Sequence, residues 1–104
     1  MGFGNMLSKE LANQKDIIVV SLCLTNEATA DLKELGIHGI QCDVTSDEDV
    51  DKAKEYIDSL LKEKNAVLHT LVNNAGRADP GDFLFFSDLS QMQNVMDVNY
   101  YGQL

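Results

Sequence analysis

The sequence predicts an α/β fold with a doubly wound parallel sheet, and the alternation of two apolar patterns along the chain supports it. Segments whose apolar residues recur at helical spacing alternate along the chain with short apolar runs typical of strands. Regular alternation of this kind is typical of parallel strands joined by helical crossovers. We therefore expect the order helix, strand, helix, strand, helix, strand, loop, helix.

The first half of the chain contains two predicted helices and two predicted strands. A first helix runs from Gly4 to about Gln14. Its apolar face is formed by Phe3, Met6, Leu7 and Leu11. The β-branched run from Ile17 to Leu22 predicts a strand buried on both faces. Asn26 is the expected N-cap of a second helix, Gly36 its C-terminal stop, and Ile37 to Cys42 a weaker second strand.

A capping-box pattern opens the third predicted helix. Thr45 or Ser46 is the expected N-cap, with Glu48 or Asp49 three positions further on. The apolar stripe of this helix is formed by Val50, Ala53, Ile57 and Leu60. Acidic residues in its first turn and lysines in its last turn both suit the helix dipole.

The second half continues the alternation. The segment from Leu68 to Val72 is the third predicted strand. A loop from Arg77 to Phe86 follows and contains the only proline of the chain. Ser87 or Asp88 then begins the last helix, which runs toward the C-terminus.

The charge, the apolar runs and the cysteines of the chain each bear on the kinds of partner and site that it can have. The formal net charge is −9, which argues against nucleic acid or an anionic membrane surface as a partner. No apolar run approaches the length of a transmembrane helix. Cys23 and Cys42 show no metal-type spacing, and each lies in an apolar stretch, so we expect two buried free thiols.

Three short segments are candidates for ligand binding, and each has a plainer interpretation. Gly2-Phe3-Gly4 opens a helix and could bring a phosphate to backbone N–H groups, or it could be a flexible N-terminus. Asp43 follows a strand and could accept hydrogen bonds from an adenine amino group, or stabilise the turn into the next helix.

The third candidate is the tetrapeptide Asn73-Asn74-Ala75-Gly76, which ends the third predicted strand. In parallel sheets, ligands bind beyond the carboxyl ends of the strands. The asparagines can bond neighbouring backbones, and Ala75 and Gly76 leave room for a flat ligand. A simple turn is the alternative, although a turn does not require two amides and two minimal side chains.

Asn99 belongs with these candidates because its spacing from Met92 and Met96 places it on the apolar face of the last helix. An unpaired buried amide costs about 1–3 kcal/mol, so we expect Asn99 to bond a backbone carbonyl or an ordered water. His38 and His69 lie near strand starts and are not expected to be catalytic.

Four motifs in the same order and spacing resemble the short-chain dehydrogenase/reductase family. GFG at residues 2–4 resembles the end of its TGxxxGxG cofactor loop. CDVT at 42–45 resembles the Asp-Val pair beside the adenine, and LVNNAG at 71–76 matches the NNAG motif. VMDVNYYG at 95–102 resembles the helix that carries a catalytic-tetrad asparagine. Within the family, the sequence resembles the branch that contains retinol, hydroxysteroid and hydroxybutyrate dehydrogenases.

The resemblance implies a Rossmann-type sheet and a role for each motif. The implied cofactor-binding residues are Gly2, Phe3, Gly4, Asp43, Val44, Asn74, Ala75 and Gly76. The glycines would face the pyrophosphate, Asp43 and Val44 the adenine, and the NNAG residues the ribose and nicotinamide. Asn73 would brace the sheet. Asn99 would be the catalytic residue that holds a water linked to the family's lysine.

The sequence also departs from the family pattern. The family's first strand, first motif glycine, catalytic serine and Tyr-x-x-x-Lys pair are absent from these 104 residues. We therefore expect residues 1–104 to be a truncated NAD(P)-binding Rossmann domain that lacks its first strand and C-terminal half. Without the tyrosine, proton transfer has no agent, and this chain alone is expected to be inactive.

The resemblance implies NAD as cofactor, with NADP not excluded, and a small lipophilic alcohol or ketone such as a retinoid or steroid as substrate. It also implies a homo-oligomer in the full-length protein and a location at the endoplasmic reticulum membrane or in the cytoplasm. The alternative function is an inactive nucleotide-binding or interaction module. A flavodoxin-like or receiver-like domain shares the alternation but leaves the NNAG segment and Asn99 unexplained.

Overall fold

The computed structural model describes residues 2–77 and 89–103. The elements along the chain are α1 (Phe3–Ala12), β1 (Val20–Cys23), α2 (Asn26–Glu34), β2 (His38–Gln41), α3 (Asp47–Lys64), α4 (Leu89–Asn99) and a 3-10 helix (Tyr101–Gln103). The chain divides into two units, Met1–Val72 and Asn73–Leu104. Both strands lie in the N-terminal unit, and α4 and the 3-10 helix lie in the C-terminal unit.

β1 and β2 form a parallel two-stranded sheet, and α2 connects them. The register pairs Val20 with His38 and Cys23 with Gln41. Parallel strands require a crossover connection of this type, because a tight turn can only join antiparallel strands. The predicted α/β class with parallel strands is confirmed, and the arrangement is consistent with part of a Rossmann-like sheet.

The core of the N-terminal unit is formed by side chains from α2, α3 and both ends of β2. Its buried apolar residues are Leu32, Ile37, Cys42, Ala53 and Leu60. α2 lies very close to β2 at Gly39, where an added Cβ would stand 2.9 Å from the Thr29 carbonyl oxygen. Only glycine allows two backbones to approach this closely. The helix and the strand therefore depend on Gly39 for their packing distance.

Both ends of α2 are defined by local hydrogen bonds. The N-cap is Thr25, whose hydroxyl accepts from the Ala28 N–H at 3.3 Å, so the predicted cap at Asn26 is one residue late. At the other end, Gly36 adopts φ +79° and the Ile37 N–H donates to the Leu32 carbonyl at 3.1 Å. This is the Schellman pattern, and it confirms Gly36 as the stop.

α3 confirms Ser46, one of the two predicted N-caps, and part of the predicted apolar stripe. Ser46 is the N-cap, and its hydroxyl accepts from the Asp49 N–H at 3.3 Å. Ala53 and Leu60 are buried, whereas Val50 is exposed. The helix ends at Asn65, which takes the left-handed conformation with φ 49°.

Burial on the strands and on α1 differs from the prediction. β1 begins at Val20 rather than Ile17, and Ile17, Ile18 and Leu22 are exposed. The expectation of a strand buried on both faces is therefore wrong. α1 is confirmed as a helix, but Phe3 is 85% exposed, and the helix reaches β1 through a Ser8–Ser21 hydroxyl hydrogen bond of 2.8 Å. The predicted apolar face of α1 is not its packed face.

The third predicted strand is not formed. Residues 68–72 pair with no strand among the described residues, and Leu71 is 76% exposed. A strand exists only where a neighbouring strand satisfies its backbone groups, so an apolar run is not sufficient by itself. The predicted last helix is confirmed as α4, while its expected start at Ser87 or Asp88 and the loop beyond Arg77 lie outside the described residues.

Candidate functional site

The candidate phosphate site is the N-terminus of α1. Gly2 is the N-cap and has φ 95° and ψ −165°, a conformation that a side chain would strain. The first intrahelical bond runs from the Met6 N–H to the Gly2 carbonyl at 3.2 Å. The N–H groups of the first turn, which includes Phe3 and Gly4, have no intrahelical acceptor, and this turn contains no acidic residue. Such an end favours an anion.

The candidate adenine site is the turn that follows β2. One carboxylate oxygen of Asp43, Oδ1, accepts from the Thr45 N–H at 2.9 Å and from the Thr45 hydroxyl at 2.6 Å. The Asp43 carbonyl also accepts from the Ser46 N–H at 2.9 Å. Asp43 therefore stabilises the turn into α3, which was the plainer of its two interpretations. Among the described residues only Oδ1 has hydrogen-bond donors, so Oδ2 can accept from a ligand.

The charge state of Asp43 follows from the same turn. The Thr45 hydroxyl and N–H donate to the carboxylate and hold the pKa of Asp43 below its ordinary value, against a small opposing effect of burial. Asp43 is thus an ionised acceptor at neutral pH. Val44, next to it, is half-buried and offers an apolar surface beside the carboxylate. An acceptor beside an apolar surface suits the edge and the face of a purine.

The NNAG segment opens the C-terminal unit. Asn73, Asn74, Ala75 and Gly76 are all exposed, and the side chains of the two asparagines bond to no described residue. The Ala75 carbonyl accepts from the Gln103 amide at 2.8 Å. The segment is therefore anchored through its backbone, and its amide side chains are left for other partners.

Asn99 holds the residue that follows this segment. Its Oδ1 accepts from the Arg77 N–H at 2.7 Å, and its Nδ2 donates to the Arg77 carbonyl at 2.8 Å. The predicted bond from Asn99 to a backbone carbonyl is confirmed. The expected burial is wrong, because Asn99 and Met96 are both exposed. A Cβ on Gly76 would stand 3.4 Å from Asn99 Oδ1, so the glycine lies against the amide.

Sequence reasoning missed the roles of Gln103 and Asp49. Gln103 follows Asn99 by four residues, a helical spacing that could have indicated a second anchor for the NNAG segment. Asp49 was expected only to complete a capping box. In the structure its Oδ2 accepts from the Asp43 N–H at 3.0 Å, which no local pattern predicts.

Each of the two histidines lies within hydrogen-bond distance of a hydroxyl group. His38 Nδ1 lies 3.1 Å from the Tyr56 hydroxyl, and His69 Nδ1 lies 2.6 Å from the neighbouring Thr70 hydroxyl. Tyr100 and Tyr101 are exposed and contact one another edge to face.

The two cysteines are free thiols, as predicted, although only Cys42 is fully buried. Burial raises the pKa of both. Since Cys23 stands opposite Gln41, the residue before Cys42, the two side chains point to opposite faces of the sheet. They are therefore not placed to form a disulfide.

Membrane-spanning helices and metal-binding clusters are both absent from residues 2–77 and 89–103. None of the helices there is long and apolar enough to cross a membrane. The same residues contain no cluster of three or more His, Cys, Asp or Glu side chains that could hold a metal ion.

Comparison with known proteins identifies what the chain is similar to. The sequence model of a family described as short chain dehydrogenase matches residues 1–104. A short-chain dehydrogenase of Penicillium roqueforti is 33% identical over 99% of the chain, and bovine mitochondrial D-beta-hydroxybutyrate dehydrogenase is 32% identical over 97%. A 3beta-hydroxysteroid dehydrogenase of Caenorhabditis elegans is 37% identical over 72%.

The chain spans only part of these relatives. It covers 35% of the Penicillium protein, 31% of the bovine protein and 21% of the nematode protein. No solved structure matches the chain significantly.

Proposed function

The chain belongs to the short-chain dehydrogenase/reductase family, and we propose that it supplies the cofactor-binding part of a nicotinamide-dependent oxidoreductase. The observation that carries this proposal is the Asn99–Arg77 pair. It holds the backbone at Arg77, directly after the NNAG segment, and the Asn74 side chain bonds to no described residue. A backbone held in this way, with Ala75 and Gly76 adding almost no bulk, offers a flat ligand a close approach.

Each of the three candidate segments, taken by itself, suits one part of a dinucleotide. The N-terminus of α1 suits the pyrophosphate, and the ionised Asp43 beside Val44 suits the adenine. Asn74 can donate to and accept from ribose or carboxamide groups. When bound, the nicotinamide supplies the hydride chemistry, and the residues of this chain bind and orient it.

NAD is the dinucleotide that the charges favour. The turn between β1 and α2 has the sequence Leu24-Thr25-Asn26-Glu27, which contains one acid and no base. A 2′-phosphate of NADP at this turn would meet no cation and would be repelled by Glu27, whereas a free ribose hydroxyl carries no such penalty. The net charge of −9 also disfavours the additional phosphate of NADP.

The substrate that we propose is a secondary alcohol or ketone of lipophilic character, such as a retinoid or steroid. Two of the relatives are named for hydroxysteroid and hydroxybutyrate, both hydroxy compounds. The chain contains no Tyr-x-x-x-Lys spacing, so we expect these 104 residues to lack the family's pair of residues for proton transfer to the substrate hydroxyl. We expect no turnover from residues 1–104 alone.

The test is an NMR titration of the isotope-labelled chain with NAD⁺ and NADP⁺ at millimolar concentrations, because we expect the isolated chain to bind weakly. Amide shifts should change at Gly2–Gly4, Asp43–Thr45 and Asn74–Gly76, and NAD⁺ should bind more tightly than NADP⁺. If several millimolar NAD⁺ leaves all three segments unchanged, the proposal is wrong. Tighter binding of NADP⁺ would overturn the choice of cofactor alone.

A second candidate function is an inactive interaction module, and the exposed apolar side chains of residues 67–72 favour it. Val67 and Leu71 are the most exposed of these, and apolar patches of this kind often mark protein interfaces. Size-exclusion chromatography of the chain with an intact homologous dehydrogenase would distinguish the two candidates. If the chain co-elutes with the intact dehydrogenase and added nucleotide does not change the elution, the interaction module is favoured.

A further inference from the structure

Asp49 makes an unusual contact for the third residue of a helix. In a capping box, the carboxylate at this position reaches back to the N–H of the N-cap residue. Here the N–H of the N-cap, Ser46, already donates to the Asp43 carbonyl at 2.9 Å. The Asp49 carboxylate instead reaches six residues back and accepts from the Asp43 N–H at 3.0 Å. The Ser46 half of the capping box is formed, whereas the Asp49 carboxylate bonds the turn after β2 instead of the N-cap.

The redirected bond completes the hydrogen bonding of Asp43. The N–H is held by Asp49, the carbonyl by Ser46, and one carboxylate oxygen by Thr45. With its main chain bonded on both sides and one side-chain oxygen occupied, Asp43 has little freedom to reorient. Its remaining oxygen, Oδ2, is therefore presented in one direction.

We propose that Asp49 is a positioning residue that orients the Asp43 carboxylate toward the amino group of adenine, and so favours adenine over purines that lack this group. The inference rests on the proposed function, in which Asp43 binds adenine. Asp49 does not touch the ligand. It acts through the Asp43 backbone, at the point where the strand passes into α3.

Hydrogen bonding and charge can be separated at Asp49. Asparagine keeps an oxygen that can accept from the Asp43 N–H but removes the charge, whereas alanine removes both. Cys42 reports on the charge, because Asp49 and Asp43 both add to the effect of burial in raising the pKa of its thiol. Asp49→Asn should lower the pKa of Cys42 and leave the turn intact.

The experiment compares binding of AMP and IMP, whose purines carry an amino group and a carbonyl oxygen at the same position. NMR titrations would use the wild-type chain, Asp49→Asn, Asp49→Ala and the matched control Asp47→Ala. Asp47 is an exposed acid in the same helical turn that does not bond the Asp43 turn. The wild type, Asp49→Asn and Asp47→Ala should prefer AMP by about tenfold, and Asp49→Ala should lose about threefold to tenfold of that preference.

The ratio of the two affinities separates positioning from general stability. An equal loss of AMP and IMP binding in Asp49→Ala would mean that Asp49 acts only on folding, and it would overturn the inference. Unchanged affinities for both nucleotides in Asp49→Ala would overturn it as well, while leaving Asp43 as the adenine ligand. A wild-type chain with no preference for AMP would overturn both. Asp49→Ser, whose hydroxyl is too short to reach the Asp43 N–H, provides the same comparison if Asp49→Ala does not fold.

Discussion

Asn99 and Arg77 are joined by two hydrogen bonds, in which one side-chain amide holds both the N–H and the carbonyl of a single residue. The distances are 2.7 and 2.8 Å, at the short end for neutral N–H···O bonds. An amide is the side chain that can donate and accept in this way. This pair explains why an asparagine stands on an otherwise apolar helical spacing.

Replacing Asn99 should free the backbone of Arg77. In Asn99→Asp the carboxylate can still accept from the N–H but repels the carbonyl, and in Asn99→Ala both bonds are lost. Each bond contributes about 0.5–1.5 kcal/mol, so amide exchange at Arg77 should accelerate by about tenfold in Asn99→Ala. Hydrogen exchange measured by NMR checks this.

The matched control is Asn94→Ala, because Asn94 is exposed on the same helix and bonds to no described residue. Its effect on the exchange rate at Arg77 should be within a factor of two. Equal acceleration in both variants would show that loss of helix stability, and not loss of the pair, controls the exchange.

Gly39→Ala should destabilise the N-terminal unit. The new Cβ would lie 2.9 Å from the Thr29 carbonyl oxygen and 3.0 Å from the Thr29 Cα, and backbone atoms cannot move aside as a side-chain end can. Overpacking of this kind costs about 1–3 kcal/mol, measured as a fall in the free energy of unfolding in urea.

Gly36→Asn is the control for this substitution. It adds more atoms, but they meet open space, and asparagine tolerates the left-handed conformation with φ +79°. We expect a change of only a few tenths of a kcal/mol. A loss as small as this in Gly39→Ala would mean that α2 can move away from β2 without cost.

The stability of the chain should depend on the ionisation of Asp43. Because the folded pKa of Asp43 is lowered, its stabilising contribution is fully present above the unfolded pKa and is lost as pH falls through the folded pKa. Thr45→Val removes the hydroxyl donor, so the folded pKa should rise toward its ordinary value. Carboxyl ¹³C NMR titration between about pH 2 and 6 measures this rise.

The companion variant is Asp43→Asn, which has no carboxylate to titrate. Urea unfolding of this variant across the same pH range should lack the acid-dependent loss of stability that is attributed to Asp43. If the pH dependence persists in full, other carboxylates cause it.

Leu71→Lys should reduce self-association of the chain. Leu71 is highly exposed in a segment whose backbone pairs with no described strand, a combination that favours aggregation. Light scattering as a function of concentration should decrease. The free energy of unfolding should stay within about 0.5 kcal/mol of the wild type, because little buried area is lost.

Gln14→Lys makes the same change in net charge at an exposed polar position. If it reduces scattering as much as Leu71→Lys does, the effect comes from charge, and the exposed apolar segment is not responsible.

The sequence alone determined the features that depend on neighbours in the chain. The capping of α3 at Thr45 or Ser46, the Gly36 stop and the alternation of helices with strands all rest on interactions within a few residues. The hydrogen bond from Asn99 to the backbone could also be predicted, because its helical spacing places a polar amide on an otherwise apolar face. The motifs that place the chain in its family are likewise local strings of residues.

Only the tertiary structure decided the features that depend on distant partners. Leu68–Val72 has the composition of a strand, but a ladder requires a second strand, and no described residue provides it. The same applies to the close approach of Thr29 to Gly39 and to the bond between Asp49 and Asp43. Periodicity in a sequence reports which side chains could be buried, whereas burial and pairing are decided by which surfaces the folded chain brings into contact.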